Sequence, residues 1–292
     1  MDKILIIGGP TATGKTKFAL EIAQKIDGEI VSADSRQVYT GKNLIHGKDL
    51  PYNLKPRTSN LKWRDRYLKY YEIDGVRIWL YDVLNPDEEF NVSFWRKCAD
   101  LVIAGIFKRN KLPIVVGGTG LYLKSLSQNL SQISVPPNKM LRQKFSEKSA
   151  KYLFNYLNKI DSYRAAQLNI SDRHNPRRLI RSIEISLASP SLESREGLGV
   201  SYLQIGLTAP RGYLYQLVNQ RVLDRIAAGA ASEDSQLAGN PAKWQGIEHK
   251  IIRQQLTWFK KQPGIHWFNI SRSGWKASAT LQITSWYNNS GL

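Results

Sequence analysis

An apolar run, Ile4-Leu5-Ile6-Ile7, leads straight into Gly9-Pro10-Thr11-Ala12-Thr13-Gly14-Lys15-Thr16. Phe18, Ala19, Ile22, Ala23 and Ile26 then recur at helical spacing. The octet fits G-x-x-x-x-G-K-[ST], and its flanks predict the strand–loop–helix setting that such a loop requires. Few features constrain a fold more. Glycines let successive N–H groups curl into one concavity, and the helix start adds partial positive charge, so a buried strand has to end at an anion site. Lys15 supplies a mobile cation, and the Thr16 hydroxyl suits a Mg2+ ligand. The loop specifies a polyphosphate without deciding whether that is ATP.

The rest of the first third alternates strand and helix. Glu29–Ala33 reads as a second strand ending at Asp34-Ser35-Arg36-Gln37. Ser93–Lys108 reads as a helix, and Leu112–Val116 as a third strand entering Gly117-Gly118-Thr119-Gly120. Repeated β–α pairs predict an α/β fold: a parallel sheet with helices on both faces and ligands at the carboxyl ends of its strands. Both post-strand segments fall at that edge, beside the phosphate loop. Tyr67–Leu84 predicts an inserted β-hairpin with an Asp74-Gly75 turn. Asn53–Arg66, polar and basic, reads as a surface loop.

From Pro136 to about Ser189 the pattern is helical, and Asn175-Pro176 marks a helix start because Asn caps and Pro suits the first position. Arg177 and Arg181 lie four apart and share a face, which gains most when a phosphate backbone crosses it. Leu203–Thr208 predicts a strand back in the core, followed by a helix over about 212–228 that stops at Gly229. Residues 230–245 read as a loop, Ile247–Lys261 as a helix and Ile265–Ile270 as a short strand. The expected division is a core over 1–135, a basic helical insertion over 136–198, and completion of the core over 199–292.

Charge bears on the partner. The net charge of +18 favours a polyanion, because each phosphate contact releases condensed counterions. Residues 1–50 hold seven Lys/Arg against six Asp/Glu, whereas 136–185 hold eleven against four, a net of +7. Positive charge set apart from the phosphate loop points to a second, larger anion. Cys98, the single cysteine, excludes an intrachain disulfide and a cysteine zinc finger, and sits in an apolar helical pattern. No apolar run is long enough to span a bilayer, and a cytoplasmic enzyme without membrane attachment is expected.

Taken together, Gly9–Thr16, Asp34–Gln37, Gly117–Tyr122, Asn175–Arg181 and Arg253-Gln254-Gln255-Leu256-Thr257-Trp258-Phe259-Lys260 resemble, in type and order, the tRNA dimethylallyltransferases, over residues 3 to about 270. The resemblance implies transfer of a dimethylallyl group from dimethylallyl diphosphate to N6 of adenosine 37, beside the anticodon of tRNA. It implies that Gly9, Pro10, Thr11, Ala12, Thr13, Gly14, Lys15 and Thr16 hold the diphosphate, with Mg2+ near Thr16. Asp34 then takes the amino proton and Thr119 bonds near the bridging oxygen. The implied tRNA contacts are Asp34, Ser35, Arg36, Gln37, Arg142, Arg177, Arg178, Arg181, Arg253, Gln254, Gln255, Thr257, Trp258 and Lys260. A monomer acting on the anticodon stem-loop is expected. The family's Gly-Tyr-Arg element has no counterpart in Ala230–Gln245, and Thr13 stands where Ser is commoner.

Other readings remain open on the residues alone. The same loop serves a small-molecule or nucleoside kinase, and a weakened tRNA-binding homologue would keep the basic block. Asp34 also suits a strand-end cap or an outer Mg2+ ligand, and Thr119 a turn hydroxyl.

Overall fold

The computed structural model describes residues 2–51, 53–127, 133, 135–188 and 200–289. The chain opens with β1 (Asp2–Gly8), α1 (Lys15–Lys25) and β2 (Gly28–Ser32), followed by β3 (Arg57–Trp63), β4 (Arg66–Ile73) and β5 (Val76–Trp79). Next come α2 (Val92–Lys108), β6 (Leu112–Gly117) and α3 (Gly120–Ser127). Five helices follow: α4 (Lys139–Phe145), α5 (Ala150–Ile160), α6 (Ser162–Gln167), α7 (Ile170–Arg173) and α8 (Pro176–Leu187). The chain then forms β7 (Val200–Thr208), α9 (Arg211–Ala227), α10 (Ser235–Ala238), α11 (Pro241–Phe259), β8 (His266–Asn269) and α12 (Trp275–Asn288).

The strands form one sheet in the order β3-β4-β5-β2-β6-β1-β7-β8. All pairings from β5 to β8 are parallel, while β3–β4 and β4–β5 are antiparallel. β6 therefore lies between β1 and β2, and the loops after these three strands emerge side by side. Alternation on β1 shows how the sheet is covered. Ile4 and Ile6 pack with α2 and α3 residues such as Trp95, Val102 and Leu123, whereas Leu5 and Ile7 pack with α1 and α12 residues such as Phe18, Ile22 and Ile283. A strand buried on both faces reads as a continuous apolar run, and this one does.

Three stretches differ from expectation. Residues 57–63 form a strand and not a surface loop. β3 pairs with β4, and Trp63 is buried beside Phe90 and Phe94. Its polar composition is that of an edge strand, which keeps charges to avoid pairing with other chains. Residues 230–245 are largely helical as well. Asn240 accepts a hydrogen bond from the Lys243 amide, and Pro241 occupies the first turn of α11, the same Asn-Pro start that opens α8. Finally, α12 was not anticipated; only one side of it, Ala279 and Ile283, is fully buried. The Asp74-Gly75 turn does close the β4–β5 hairpin, with φ of 49° and 79° at its two residues.

Contacts divide the chain into Met1–Ser127 with Gly197–Leu292, and Gln128–Glu196. The expected boundary at 198–199 lies outside the described residues. In the second unit Phe145, Leu153, Leu157, Leu179 and Ile183 form the core. Beside it, Glu184 is buried and accepts from Arg142 Nε and Nη2 (2.8 and 3.1 Å), from Arg181 Nη1 (3.2 Å) and from the Asn138 amide (2.8 Å). Burial pushes the Glu184 carboxyl up, but the two arginines and the Asn138 amide outweigh this and hold it below its ordinary value. Its stabilisation is complete above the ordinary 4.5 and fades as the pH falls through the lower folded value. Because both guanidiniums keep some contact with water, Glu184→Gln should cost about 2 kcal/mol, less than a fully buried pair. Faster amide exchange confined to α4 and α8 would be the measured sign. Unchanged exchange there would show that this carboxylate is not what secures the unit.

Candidate active site

Gly9, directly after β1, has φ of 137°, and a Cβ there would sit 2.2 Å from the Leu207 carbonyl oxygen, so only glycine fits. The turn continues through Ala12 (φ 63°) to Gly14 (φ 74°), which opens α1 without a side-chain cap. Its exposed helix N-terminus is thus left for an anion. Thr13 Oγ1 and Lys15 Nζ both donate to the Pro10 carbonyl, at 2.9 and 2.7 Å, folding the lysine over the loop. Burial draws the Lys15 ammonium down to about 7; Asp34 opposes this and Arg221 adds to it. A buried ammonium near neutrality is poised to gain a proton when a diphosphate arrives.

The loop after β2 meets the loop after β6. The Ala33 amide donates to Val116 O (2.7 Å), and the Thr119 amide donates to Ala33 O (3.1 Å). A Cβ on Gly117 would lie 2.1 Å from the Ala33 carbonyl oxygen, which explains that glycine. The Ser35 amide donates to Thr119 Oγ1 at 3.0 Å, and Asp34 Oδ1 accepts from the Arg36 amide at 2.9 Å. The Thr16 hydroxyl bonds the hydroxyl of Tyr81, a buried residue just past β5. Burial, Asp49 and Asp34 all push that phenol upward, so it stays protonated. Asp34, Lys15, Thr16 and Thr119 are thus brought to one sheet edge by three adjacent strands.

Other expected contact residues have partners inside the protein. The Gln37 amide donates to Gly47 O (2.7 Å) and accepts from Ser32 Oγ (2.9 Å), so both of its ends are engaged. Gln255 Oε1 accepts from the Thr11 amide (2.8 Å) while Nε2 donates to Gly118 O (3.2 Å), stitching α11 to both loops. Trp258 lies against Gly120, where a Cβ would come within 2.1 Å of its ring. Arg253, Gln254 and Thr257 are exposed on the same helix, as is Lys260 at its C-terminal cap. Arg36 Nη1 bonds the buried Glu248 at 3.0 Å. On α8, Arg177 and Arg178 are exposed and Arg178 pairs with Asp172, whereas Arg181, like Arg142, closes on Glu184.

Sequence reasoning missed the arginines of α9. Arg221 Nη1 donates to Thr11 Oγ1 in the phosphate loop at 3.2 Å, and its other nitrogen pairs with Asp49. Arg225 Nη2 donates to the same carboxylate at 2.9 Å. Desolvation raises the Asp49 carboxyl, but the two guanidiniums prevail and hold it below the usual range. The one available signal was a helix bearing Arg at i and i+4 directly after a core strand. Nearby, among the described residues, three buried side-chain atoms, His46 Nδ1, Arg225 Nε and Glu248 Oε2, have no hydrogen-bond partner.

The IPP transferase family matches residues 68–256. The tRNA dimethylallyltransferase of Acetivibrio thermocellus is 33% identical over 310 residues, covering 92% of this chain and 92% of that protein. That of Halothermothrix orenii is 31% identical over 314 residues, covering 94% and 89%. This chain belongs to the IPP transferase family. Among solved structures, the full-length tRNA isopentenylpyrophosphate transferase of Bacillus halodurans superposes with a TM-score of 0.63 at 25% identity, covering 98% of this chain and 96% of its own. A eukaryotic dimethylallyltransferase acting on tRNA shares the fold, with a TM-score of 0.78 at 20% identity over 99% of this chain and 79% of that one. The IPP transferase match takes in Thr119, Arg221 and Gln255, and the phosphate loop precedes it. No helix among the described residues is long and apolar enough to cross a membrane.

Proposed function

We propose that this protein transfers a dimethylallyl group from dimethylallyl diphosphate to N6 of adenosine 37 in tRNA. The observation that carries the proposal is the placing of one carboxylate, Asp34, beside a phosphate loop whose lysine is held near neutrality, in a chain of this family. The amino nitrogen of adenine attacks C1 of the allylic group, and a C–N bond forms as the C1–O bond breaks. The electron pair of that bond leaves with the diphosphate. Lys15, Arg221 and the loop amides meet the charge that develops there. Delocalisation makes the adenine nitrogen a weak nucleophile, and Asp34 answers this by accepting its proton. The Thr119 hydroxyl, accepting from Ser35, donates toward the bridging oxygen.

Among the described residues no three His, Cys, Asp or Glu side chains come together to cage a metal. The Thr16 hydroxyl is a single oxygen donor, which suits Mg2+, an ion that keeps waters and takes phosphate oxygens for the rest. Bound there, Mg2+ would neutralise charge on the departing diphosphate.

A base stacked in an anticodon loop has to swing out to reach a carboxylate at a sheet edge. Arg253, Gln254 and Thr257 on α11, Lys260 at its C-terminal cap, and Arg177 and Arg178 on α8 are exposed and suited to phosphate contact. The substrate is the anticodon stem-loop, the acting species one chain, and the location the cytoplasm. Incubating the protein with unmodified tRNA, dimethylallyl diphosphate and Mg2+ should add one C5H8 unit to a single adenosine, read by nucleoside mass spectrometry. Unchanged adenosine together with ATP consumption on a small alcohol would overturn the proposal.

A further inference from the structure

Asp49 sits where nothing in the reaction asks for a carboxylate. It holds a left-handed φ of 50°, a conformation that favours glycine, at the end of a loop pinned to the core. Lys48, its buried neighbour, donates to the carbonyls of Tyr39 and Gly41 at 2.8 and 2.9 Å and also bonds Asp82. Gln37 ties Gly47 to the end of β2. Gly47 is constrained by its φ of 67°, and both guanidiniums pack against it: a Cβ there would lie 2.3 Å from Arg225 Nη2 and 3.1 Å from Arg221 Nη2. The loop therefore delivers one carboxylate, rigidly, to two cations on successive turns of α9.

We infer that Asp49 is a positioning residue that presents the Arg221 guanidinium to the diphosphate, and this rests on the prenyl-transfer reading above. Two guanidiniums four residues apart on one helix face repel each other. With Arg225 buried, Arg221 would swing outward unless an anion bridged the pair. Asp49 supplies that bridge through one oxygen to each arginine, leaving Arg221 Nη1 on the phosphate-loop side, 3.2 Å from Thr11 Oγ1. A planar guanidinium has donors on two edges, so it can hold a carboxylate on one and an anion on the other. The arginine reaches the ligand preoriented, and little side-chain entropy remains to be lost when the diphosphate binds.

A double-mutant cycle with inorganic diphosphate and Mg2+, titrated calorimetrically, tests this. Asp49→Asn keeps the shape and removes the charge, and should weaken diphosphate binding by about tenfold, as should Arg221→Ala. The double variant should bind no more weakly than Arg221→Ala alone. Binding by Asp49→Asn equal to wild type, or losses that multiply in the double variant, would overturn the inference. Asp49→Ser repeats the cycle if the asparagine variant folds poorly. Failure of both to fold would show that Asp49 secures the loop and not the guanidinium, which also overturns it. Wild-type protein that binds diphosphate but leaves tRNA unmodified would sink the activity reading alone. Wild-type transfer with Asp49→Asn unimpaired would sink this inference alone.

Discussion

Asp34→Asn should lower kcat for adenosine prenylation by about 10^3-fold, in the middle of the range lost when a positioned proton acceptor is removed. Asparagine occupies the same volume and still accepts the Arg36 amide hydrogen bond seen at Oδ1, so the loop after β2 should keep its course. What it cannot do is take the proton as the C–N bond forms. Diphosphate affinity should survive, with one qualification set by charge. Asp34 raises the Lys15 value, and deleting its charge moves that lysine further down. Binding is therefore best compared as a pH series that runs well below 7, where the lysine gains its proton in both proteins. Turnover near wild type would remove Asp34 as the acceptor. A parallel collapse of diphosphate binding would make it part of the anion site.

The second large effect belongs to Lys15. Its ammonium titrates near 7 in the free protein because burial disfavours the charged form more than Asp34 favours it. A diphosphate reverses that balance, so binding is linked to protonation. The sign follows directly. Below about 7 the cation is already present and affinity is full; above 7 each unit of pH should cost up to about tenfold, until the value in the complex is reached. Net proton uptake approaching one, measured at about pH 8 in two buffers of different ionisation enthalpy, is the expected signature. Lys15→Met should bind about 10^2-fold more weakly at low pH and lose this slope, since it lacks the titrating group. Diphosphate's own protonation cancels in the comparison of the two proteins. An identical slope in both would place the titration elsewhere.

How much of the site is legible in the sequence varies by residue. The phosphate loop was readable because its glycines answer to local backbone geometry and its flanks to local periodicity. Gly9, Gly14 and the start of α1 stand as expected. The Asp74-Gly75 turn and the Asn175-Pro176 helix start were legible for the same reason. The same Asn-Pro signal at Asn240-Pro241 was available but was masked by the surrounding Ala, Ser and Gly residues. β3 was hidden by its position, since an edge strand is polar and does not alternate clearly.

Side-chain engagement was another matter. Gln37, Gln255 and Trp258 have the polarity or ring that a nucleic-acid contact needs, yet each is taken up by a backbone brought near from elsewhere in the chain. Arg221 and Asp49 meet across 172 positions of sequence, and Thr119 meets Ser35 across 84. Short-range patterns thus specify which strand ends carry a phosphate loop, a carboxylate and a glycine turn, because torsional preference and periodic burial act within a few residues. Strand order is a property of the whole sheet. Only the insertion of β6 between β1 and β2 brings those three ends into contact, and only the packing of α9 and α11 over them decides which polar groups stay open to a ligand and which are used up in holding the site together.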